Sequence, residues 1–377
     1  MELEQSPDYS ATAARFLSLK VSCLVPTLRL KPATHAPWLV IGMIWIAAGC
    51  AREAVAHQAA VHLAPPRGLP DVPIPVGNLL TQEKIDLGRW LFYERRVAAQ
   101  PQSACVDCHV PEAGYAGLDA AMSFHRRAPT VLNRAYGDYE FWDGSAGRSM
   151  EEVVRGVLHF VNFGADEPAW TRLGSVPGYR RAFTVAFGRP IDEDAVVDAL
   201  ACYSRTLLAG DSPEDRFSAG DRAALSPKQQ RGRELFYGAA GCGHCHSGPN
   251  FTDESFHVTG IGQDHPLHRY YADDPHGKPE FPELGKFNVT GRLADRGAFK
   301  TPTVRELARR RFYMHDGSLH SLAEVVAYYN RGGTGVLGID PAIHPLALSA
   351  EQQDDLVAFL GSLSSSQAIP APPELPE

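Results

Sequence analysis

The chain has 377 residues, 44% hydrophobic and 21% charged, with 36 basic against 44 acidic side chains. That length predicts about two ordinary domains with sizeable cores. The formal charge of −8 argues against the basic footprint of a nucleic-acid binder, so no nucleic-acid partner is expected. With 34 Gly and 29 Pro, the composition fits a loop-rich globule and neither a coiled coil nor a disordered polymer.

Residues 1–50 read as a leader. An apolar run from Pro37 to Gly49 follows Lys20, Arg29 and Lys31 and ends at Cys50. About a dozen apolar residues fall short of the ~20 a membrane span needs. They match the apolar region of a secretory signal. Ala47-Ala48-Gly49-Cys50 is similar to a bacterial lipobox, in which Cys50 would carry a lipid anchor. Ala47 stands where Leu is usual, which leaves simple cleavage and a retained anchor as alternatives. The stretch before the run is long for a signal, which points to a start further downstream. Cys23 is expected to leave with the leader, and the mature chain to be periplasmic. Residues 51–78, rich in Ala, His and Pro, read as a tether or wrapping arm, and 367–377 as a Pro-rich tail.

Two pentapeptides carry the chemistry: Cys105-Val106-Asp107-Cys108-His109 and Cys242-Gly243-His244-Cys245-His246. A haem attached through both vinyl groups needs two thiols one helical turn apart, with the next imidazole under the iron. Two such motifs in an exported chain predict two covalently bound haem c groups. A four-thiolate zinc site or a redox disulfide also uses paired cysteines. Neither requires a histidine after each second thiol. Cys202 sits in a helical apolar stretch and is expected to be an inert core thiol.

The chain is duplicated. Lys84, Gly88-Arg89 and Leu91-Phe92-Tyr93 match Lys228, Gly232-Arg233 and Leu235-Phe236-Tyr237, each ahead of its pentapeptide. Further on, Ala128-Pro129-Thr130-Val131 matches Thr301-Pro302-Thr303-Val304, and Asp143-Gly144-Ser145 matches Asp316-Gly317-Ser318. Thr81 can cap the first helix. Ser226-Pro227-Lys228-Gln229 has the form of a capping box with Pro at the first helical position. Clear period-2 apolar runs are absent. The expectation is a mainly α chain with two tandem cytochrome c-like haem domains and long loops, 79–222 and 223–366. Two irons suit a division between a reaction site and an electron relay.

Several stretches resemble the bacterial di-haem cytochrome c peroxidase family, including its MauG branch. They are Ala128–Asn133, Phe141-Trp142-Asp143-Gly144, Asn250-Phe251-Thr252-Asp253, Asp295–Thr303 and Tyr313–Ser318. Val72-Pro73-Ile74-Pro75, Thr206–Pro213 and the Tyr-Asn-Arg-Gly-Gly end resemble MbnH-type members. The resemblance implies reaction with hydrogen peroxide at the N-terminal haem and electron storage at the C-terminal one. Family peroxidases draw electrons from small periplasmic redox proteins, whereas MauG and MbnH oxidise residues of a partner protein. A copper-binding partner would go with the MbnH-like reading.

The resemblance also suggests roles for single residues. A sixth ligand for the C-terminal haem comes from the helix after the His-Asp-Gly turn. Leu322, Val325, Val326 and Tyr329 fall at i, i+3, i+4 and i+7, so Tyr329 shares the buried face and Tyr328 does not. Tyrosinate there would lower the iron potential and thioether would raise it; Met314 is the alternative ligand. His125 lies where peroxidases carry a displaceable distal histidine that can accept a proton, and a solvated loop His is the alternative. Glu152 falls where the family places Gln or Glu over the distal face, although periodicity fits a solvated carboxylate equally. The downstream Asn-Pro-x-Glu motif is not reproduced, which leaves the acid for O–O cleavage unassigned. Trp142 matches the tryptophan between the haems, with a plain core role as the alternative. Asn133 and the carbonyls of Arg310 and Phe312 match an inter-domain calcium site. His315 and Asp316 are expected to order their turn and the haem propionates. The competing function is a non-catalytic di-haem electron carrier; no constellation supports a hydrolase.

Overall fold

The computed structural model of the protein describes residues 59–99, 103–118, 126–138, 141–262, 284–334 and 338–377. The leader, Cys50 and His125 lie outside the described residues. Helix dominates. Helix α1 (Gln82–Tyr93) starts at Thr81, whose hydroxyl accepts the Lys84 N–H at 3.3 Å. Then come α2 (Cys105–Cys108), α3 (Met150–Val161), α4 (Ala169–Gly174), α5 (Pro177–Phe187), α6 (Glu193–Thr206) and α7 (Pro213–Ser218). The second half holds α8 (Pro227–Tyr237), α9 (Phe287–Thr290), α10 (Leu322–Asn330) and α11 (Ala350–Gly361). The expected capping box forms at α8, where Ser226 N–H donates to Gln229 Oε1 at 2.8 Å and Gln229 N–H to Ser226 Oγ at 3.3 Å.

A two-stranded antiparallel ribbon joins β1 (Phe256–Val258) to β2 (Ala298–Lys300), with Phe256 opposite Lys300. Three residues per strand are too few to show an alternating pattern, so no period-2 run marks the ribbon.

Two apolar clusters form the core. One gathers Leu87, Leu91, Phe92, Tyr115, Phe183, Leu200 and Tyr203, and the other Phe236, Phe251, Val304, Leu307, Val326, Leu356 and Phe359. Each is built on one crossing of two helices at a glycine. A Cβ on Gly88 of α1 would lie 2.0 Å from the Ala199 carbonyl oxygen of α6. A Cβ on Gly232 of α8 would lie 2.0 Å from the Asp355 carbonyl oxygen of α11. That repeat explains why Gly-Arg recurs in both copies. Because the obstacle is backbone, Gly232→Ala must push two helices apart, at about 1–3 kcal/mol. Gly156→Ala, in α3, meets nothing within 4 Å and should gain about 0.5–1 kcal/mol. Denaturant midpoints moving the same way in both variants would contradict the close crossing.

Buried ion pairs connect the halves. Arg134, beside the first cluster, pairs with Glu254 at 2.8 Å, and Glu254 also takes Lys300 at 3.2 Å. Burial alone would raise the Glu254 carboxyl; Arg134 and Lys300 outweigh it and hold the group below its ordinary range. Arg305, 1% exposed, makes two 2.8 Å bonds to Asp215 and also donates to the Pro249 carbonyl. Removing one partner of such a pair costs about 3–5 kcal/mol. The arm and the tail lie over both halves. Asp211 N–H donates to the Arg67 carbonyl at 2.8 Å and Tyr136 Oη to the Pro70 carbonyl at 2.9 Å. Arg309 reaches the Gln367 carbonyl at 2.7 Å, Arg89 that of Ala371 at 2.6 Å, and Gly178 N–H that of Glu377 at 2.9 Å.

Candidate functional site

Each pentapeptide is one tight helical turn. His109 N–H donates to the Cys105 carbonyl and His246 N–H to the Cys242 carbonyl, both at 2.9 Å. The thiols, three residues apart, therefore share one side of the turn. His109 Nδ1 lies 3.3 Å from the Tyr115 carbonyl oxygen, and His246 Nδ1 lies 3.2 Å from that of Phe251. The Pro129 and Pro302 carbonyls are second partners. Burial lowers the pKa of both imidazoles, so both are neutral. A neutral ring whose Nδ1–H goes to a carbonyl keeps its Nε2 lone pair for iron. The recurring Pro-Thr segments and the Asn-Phe-Thr-Asp motif thus have one task, to aim an imidazole.

The cysteines suit this use better than the alternatives. Burial pushes the Cys105 thiol up to about 12 and the Cys242 thiol to about 11, away from thiolate chemistry. Among the described residues one group of three metal-ligating side chains converges, Cys245, Asp253 and His257. It contains one thiol, so the four-thiolate zinc reading is excluded. Once Cys245 is a thioether, that group also loses a ligand. Cys202 is buried in α6, its thiol 3.3 Å from Asn78 Oδ1 and pushed up to about 11 by burial, as an inert core thiol should be.

A single large cavity brings the second pentapeptide and Trp142 together. Cys242, Cys245, His246, Tyr329, Met314 and Trp142 all line it, around about 1750 Å³ of space that is partly open to solvent. The wall is largely aliphatic and aromatic, with Val304, Leu307, Leu322 and Val325, which suits a flat macrocycle. Tyr329 lines the same cavity as Cys242 and Cys245, which are its electrostatic neighbours. Burial holds its phenol protonated, well above the ordinary range. A tyrosinate there depends on the charge of the metal itself.

Tyr328 corrects the helical-face expectation. It is 2% exposed, and its hydroxyl donates to the Thr259 carbonyl at 2.7 Å. Helix α10 is covered on two sides, with Tyr329 on the cavity and Tyr328 in the packing against 259. A single-stripe reading cannot see the second side.

Trp142 is held at both ends. Its indole N–H donates to the Arg127 carbonyl at 2.8 Å, and its own carbonyl accepts the Lys300 N–H at 2.8 Å. The ring meets His315 edge-on at 6.3 Å, and His315 stacks on Phe299 at 3.6 Å. His315 is thus part of an aromatic stack, and Asp316 orders the turn by accepting the Ser318 N–H at 3.0 Å.

Glu152 is not a free distal acid. Its Oε2 accepts the N–H groups of Arg148 at 2.8 Å and Ser149 at 3.2 Å, closing a capping box at the start of α3. The side chain is committed to the helix start. Ser149-x-x-Glu152 is itself a capping signature, so the sequence carried this signal.

The oxygens matched to a calcium site have protein partners. Asn133 Oδ1 accepts the Ala209 N–H at 2.8 Å, while its Nδ2 donates to the Ala209 carbonyl and to Asn250 Oδ1. The Arg310 carbonyl accepts the Tyr313 hydroxyl at 3.1 Å, and the Phe312 carbonyl accepts the Arg127 guanidinium. All three oxygens therefore face protein donors. Arg127 and Arg310 add two buried cations, and burial, with each other's charge on Arg310, pushes both down to about 10. Sequence reasoning missed Arg127, because backbone carbonyls of residues 117 and 312 leave no pattern.

A helical fold with two buried, carbonyl-oriented imidazoles, each behind a one-turn thiol pair, defines a di-haem c-type cytochrome. Residues 82–223 match the family described as di-haem cytochrome c peroxidase. The chain is 39% identical over 316 residues to the methylamine utilization protein MauG of Methylorubrum extorquens, covering 81% of this chain and 85% of that one. It is 35% identical to a cytochrome c peroxidase of Pseudomonas sp. (strain SCT), covering 88% and 93%. A MauG-like protein associated with microbial copper homeostasis superimposes with TM-score 0.69 at 28% identity, over 84% of this chain and 97% of that one. The chain belongs to the di-haem cytochrome c peroxidase family. It is a peroxidase-type oxidoreductase that reacts with peroxide, and its family carries two haem c groups.

Proposed function

We propose that this chain is an exported, periplasmic enzyme made of two tandem haem domains, 79–222 and 223–366, with separate tasks. Cys105, Cys108 and His109 would hold the haem that meets hydrogen peroxide. Cys242, Cys245 and His246, with Tyr329 as the sixth ligand, would hold the haem that keeps and passes on oxidising equivalents. When bound, the two haems supply the reduction of peroxide to water and the storage of the resulting oxidising power. The chain's own residues aim the imidazoles through Tyr115, Pro129, Phe251 and Pro302. Trp142 bridges the two halves, and His125 is the candidate proton acceptor for peroxide. Cys50 is the candidate lipid-anchor site. Calcium has no part in this reading.

Tyr329 carries the choice within the family. A hard, anionic donor favours high iron oxidation states, which fits oxidation of a partner protein better than turnover with a small redox donor. The MauG relative and the copper-homeostasis structure support the same choice, and with it a copper-binding partner as the protein substrate. In stopped-flow mixing of the two-haem protein with one equivalent of peroxide and no donor, we expect a rapid spectral change that persists for many turnover times. Added small cytochrome or cupredoxin should discharge it slowly. No spectral change would indicate an electron carrier; rapid discharge by the small donor would indicate an ordinary peroxidase.

A further inference from the structure

The duplication supplies an internal control for what the first haem domain has and the second lacks. Tyr115 and Phe251 are counterparts: each follows its pentapeptide, has positive φ (54° and 49°), and offers its carbonyl to the proximal imidazole. Tyr203 and Phe359 are counterparts at the helix crossings, where their Cβ atoms would lie 2.7 and 2.8 Å from a Cβ added at Gly88 and Gly232. The ring geometry repeats as well. Phe92 and Tyr203 lie 5.4 Å apart at 62°, and Phe236 and Phe359 lie 5.2 Å apart at 60°. So the two copies differ at these places by two hydroxyl groups, both in the N-terminal copy.

The two rings share Phe92 as a neighbour, and each phenol is an electrostatic neighbour of the other. Tyr115 is 6% and Tyr203 5% exposed, and Phe92 packs on both rings. Burial keeps both phenols neutral. Half-buried Tyr93 is an electrostatic neighbour of both, Arg89 is the cation that faces all three, and Glu112 the carboxylate that faces Tyr93 and Tyr115. Placing two polar groups in an apolar core, where the sister domain manages with phenylalanine, calls for a reason.

We propose that Tyr115 and Tyr203 are a redox-active pair serving the N-terminal haem. The inference rests on the reading of Cys105–His109 as the peroxide-side haem turn. When no external donor is present, one electron leaves a phenol of the pair for the centre that peroxide has oxidised, which is thereby reduced by one equivalent. The phenolic proton leaves by way of the partner hydroxyl to Glu112 or solvent, and a neutral tyrosyl radical remains. Tyr93 extends the path to the surface of α1. The C-terminal copy has Phe251 and Phe359 at these two places and so lacks this pair.

The test uses the full two-haem protein, frozen after one equivalent of peroxide without donor and examined by electron paramagnetic resonance. Wild type should show a tyrosyl signal that narrows on ring deuteration of tyrosine. Tyr115→Phe and Tyr203→Phe should each lose most of it while the haem spectrum still responds to peroxide. Phenylalanine is what the second copy already accommodates, so folding and haem content should hold. Tyr237→Phe, at the position of the second copy that matches Tyr93, should keep the signal. Peptide mass spectrometry after repeated peroxide exposure should find oxygenated or cross-linked Tyr115, Tyr203 or Tyr93 in wild type. A haem response with no tyrosyl signal, an undiminished signal in both variants, or its loss in Tyr237→Phe would overturn the pair and leave the peroxide reading intact. No haem response at all would overturn both.

Discussion

Tyr329→Met should raise the reduction potential of the haem at Cys242 and Cys245 and shorten the life of the peroxide-oxidised protein. The physical basis is the donor: thioether stabilises the reduced iron and tyrosinate the oxidised iron. A rise of on the order of 100 mV changes a one-electron equilibrium ~50-fold, at about 59 mV per decade. The expected result is a large fall in stored oxidising power and faster reduction by a small redox donor. Spectroelectrochemical titration and donor-free stopped-flow decay measure the two halves of this claim. The pocket itself supports the choice of residue. Tyr329 lines the cavity from helix α10 with both thiols as electrostatic neighbours, whereas Met314 lines it from a turn with left-handed backbone. An unchanged potential and decay would mean that Tyr329 is a core tyrosine.

The second large effect is expected at Trp142. Its indole lines the cavity of the second pentapeptide while its N–H is fixed to Arg127, two residues from the Pro129 carbonyl that orients His109. It therefore touches the surroundings of both imidazoles. Trp142→Phe keeps an aromatic filler and removes the more easily oxidised ring and its hydrogen bond. Transfer of oxidising equivalents between the haems should slow by at least about tenfold, or ~1.4 kcal/mol in barrier. Rapid-mixing spectra that follow the two haems separately would read it. A core role predicts the reverse pattern, a lowered Tm with an unaltered transfer rate.

What was legible in the sequence is what repeats or what obeys a local rule. The pentapeptides, the glycine crossings and the Thr81 and Ser226 caps recur in both halves or follow helix-end chemistry, and each is in place. Cys202 followed from its apolar helical setting. The failures have identifiable causes. Glu152 carries a capping signature beside its match to a distal residue, and the structure uses it as the cap. Tyr328 is buried on a side of α10 that a one-stripe pattern cannot show. The Arg310 and Phe312 carbonyls accept Tyr313 and Arg127, contacts to backbone that leave no sequence pattern. The Tyr115–Tyr203 pair joins residues far apart in sequence and shows only when the copies are laid over each other in space.

The measurement closest to the central claim replaces each thiol pair in turn. Cys105→Ser with Cys108→Ser should retain one haem by intact mass and lose the fast response to peroxide. Cys242→Ser with Cys245→Ser should also retain one haem, yet still respond, with a short-lived product. A fast response that survives loss of the first thiol pair, or a wild-type mass with fewer than two haems attached, would contradict the division of labour between the two turns.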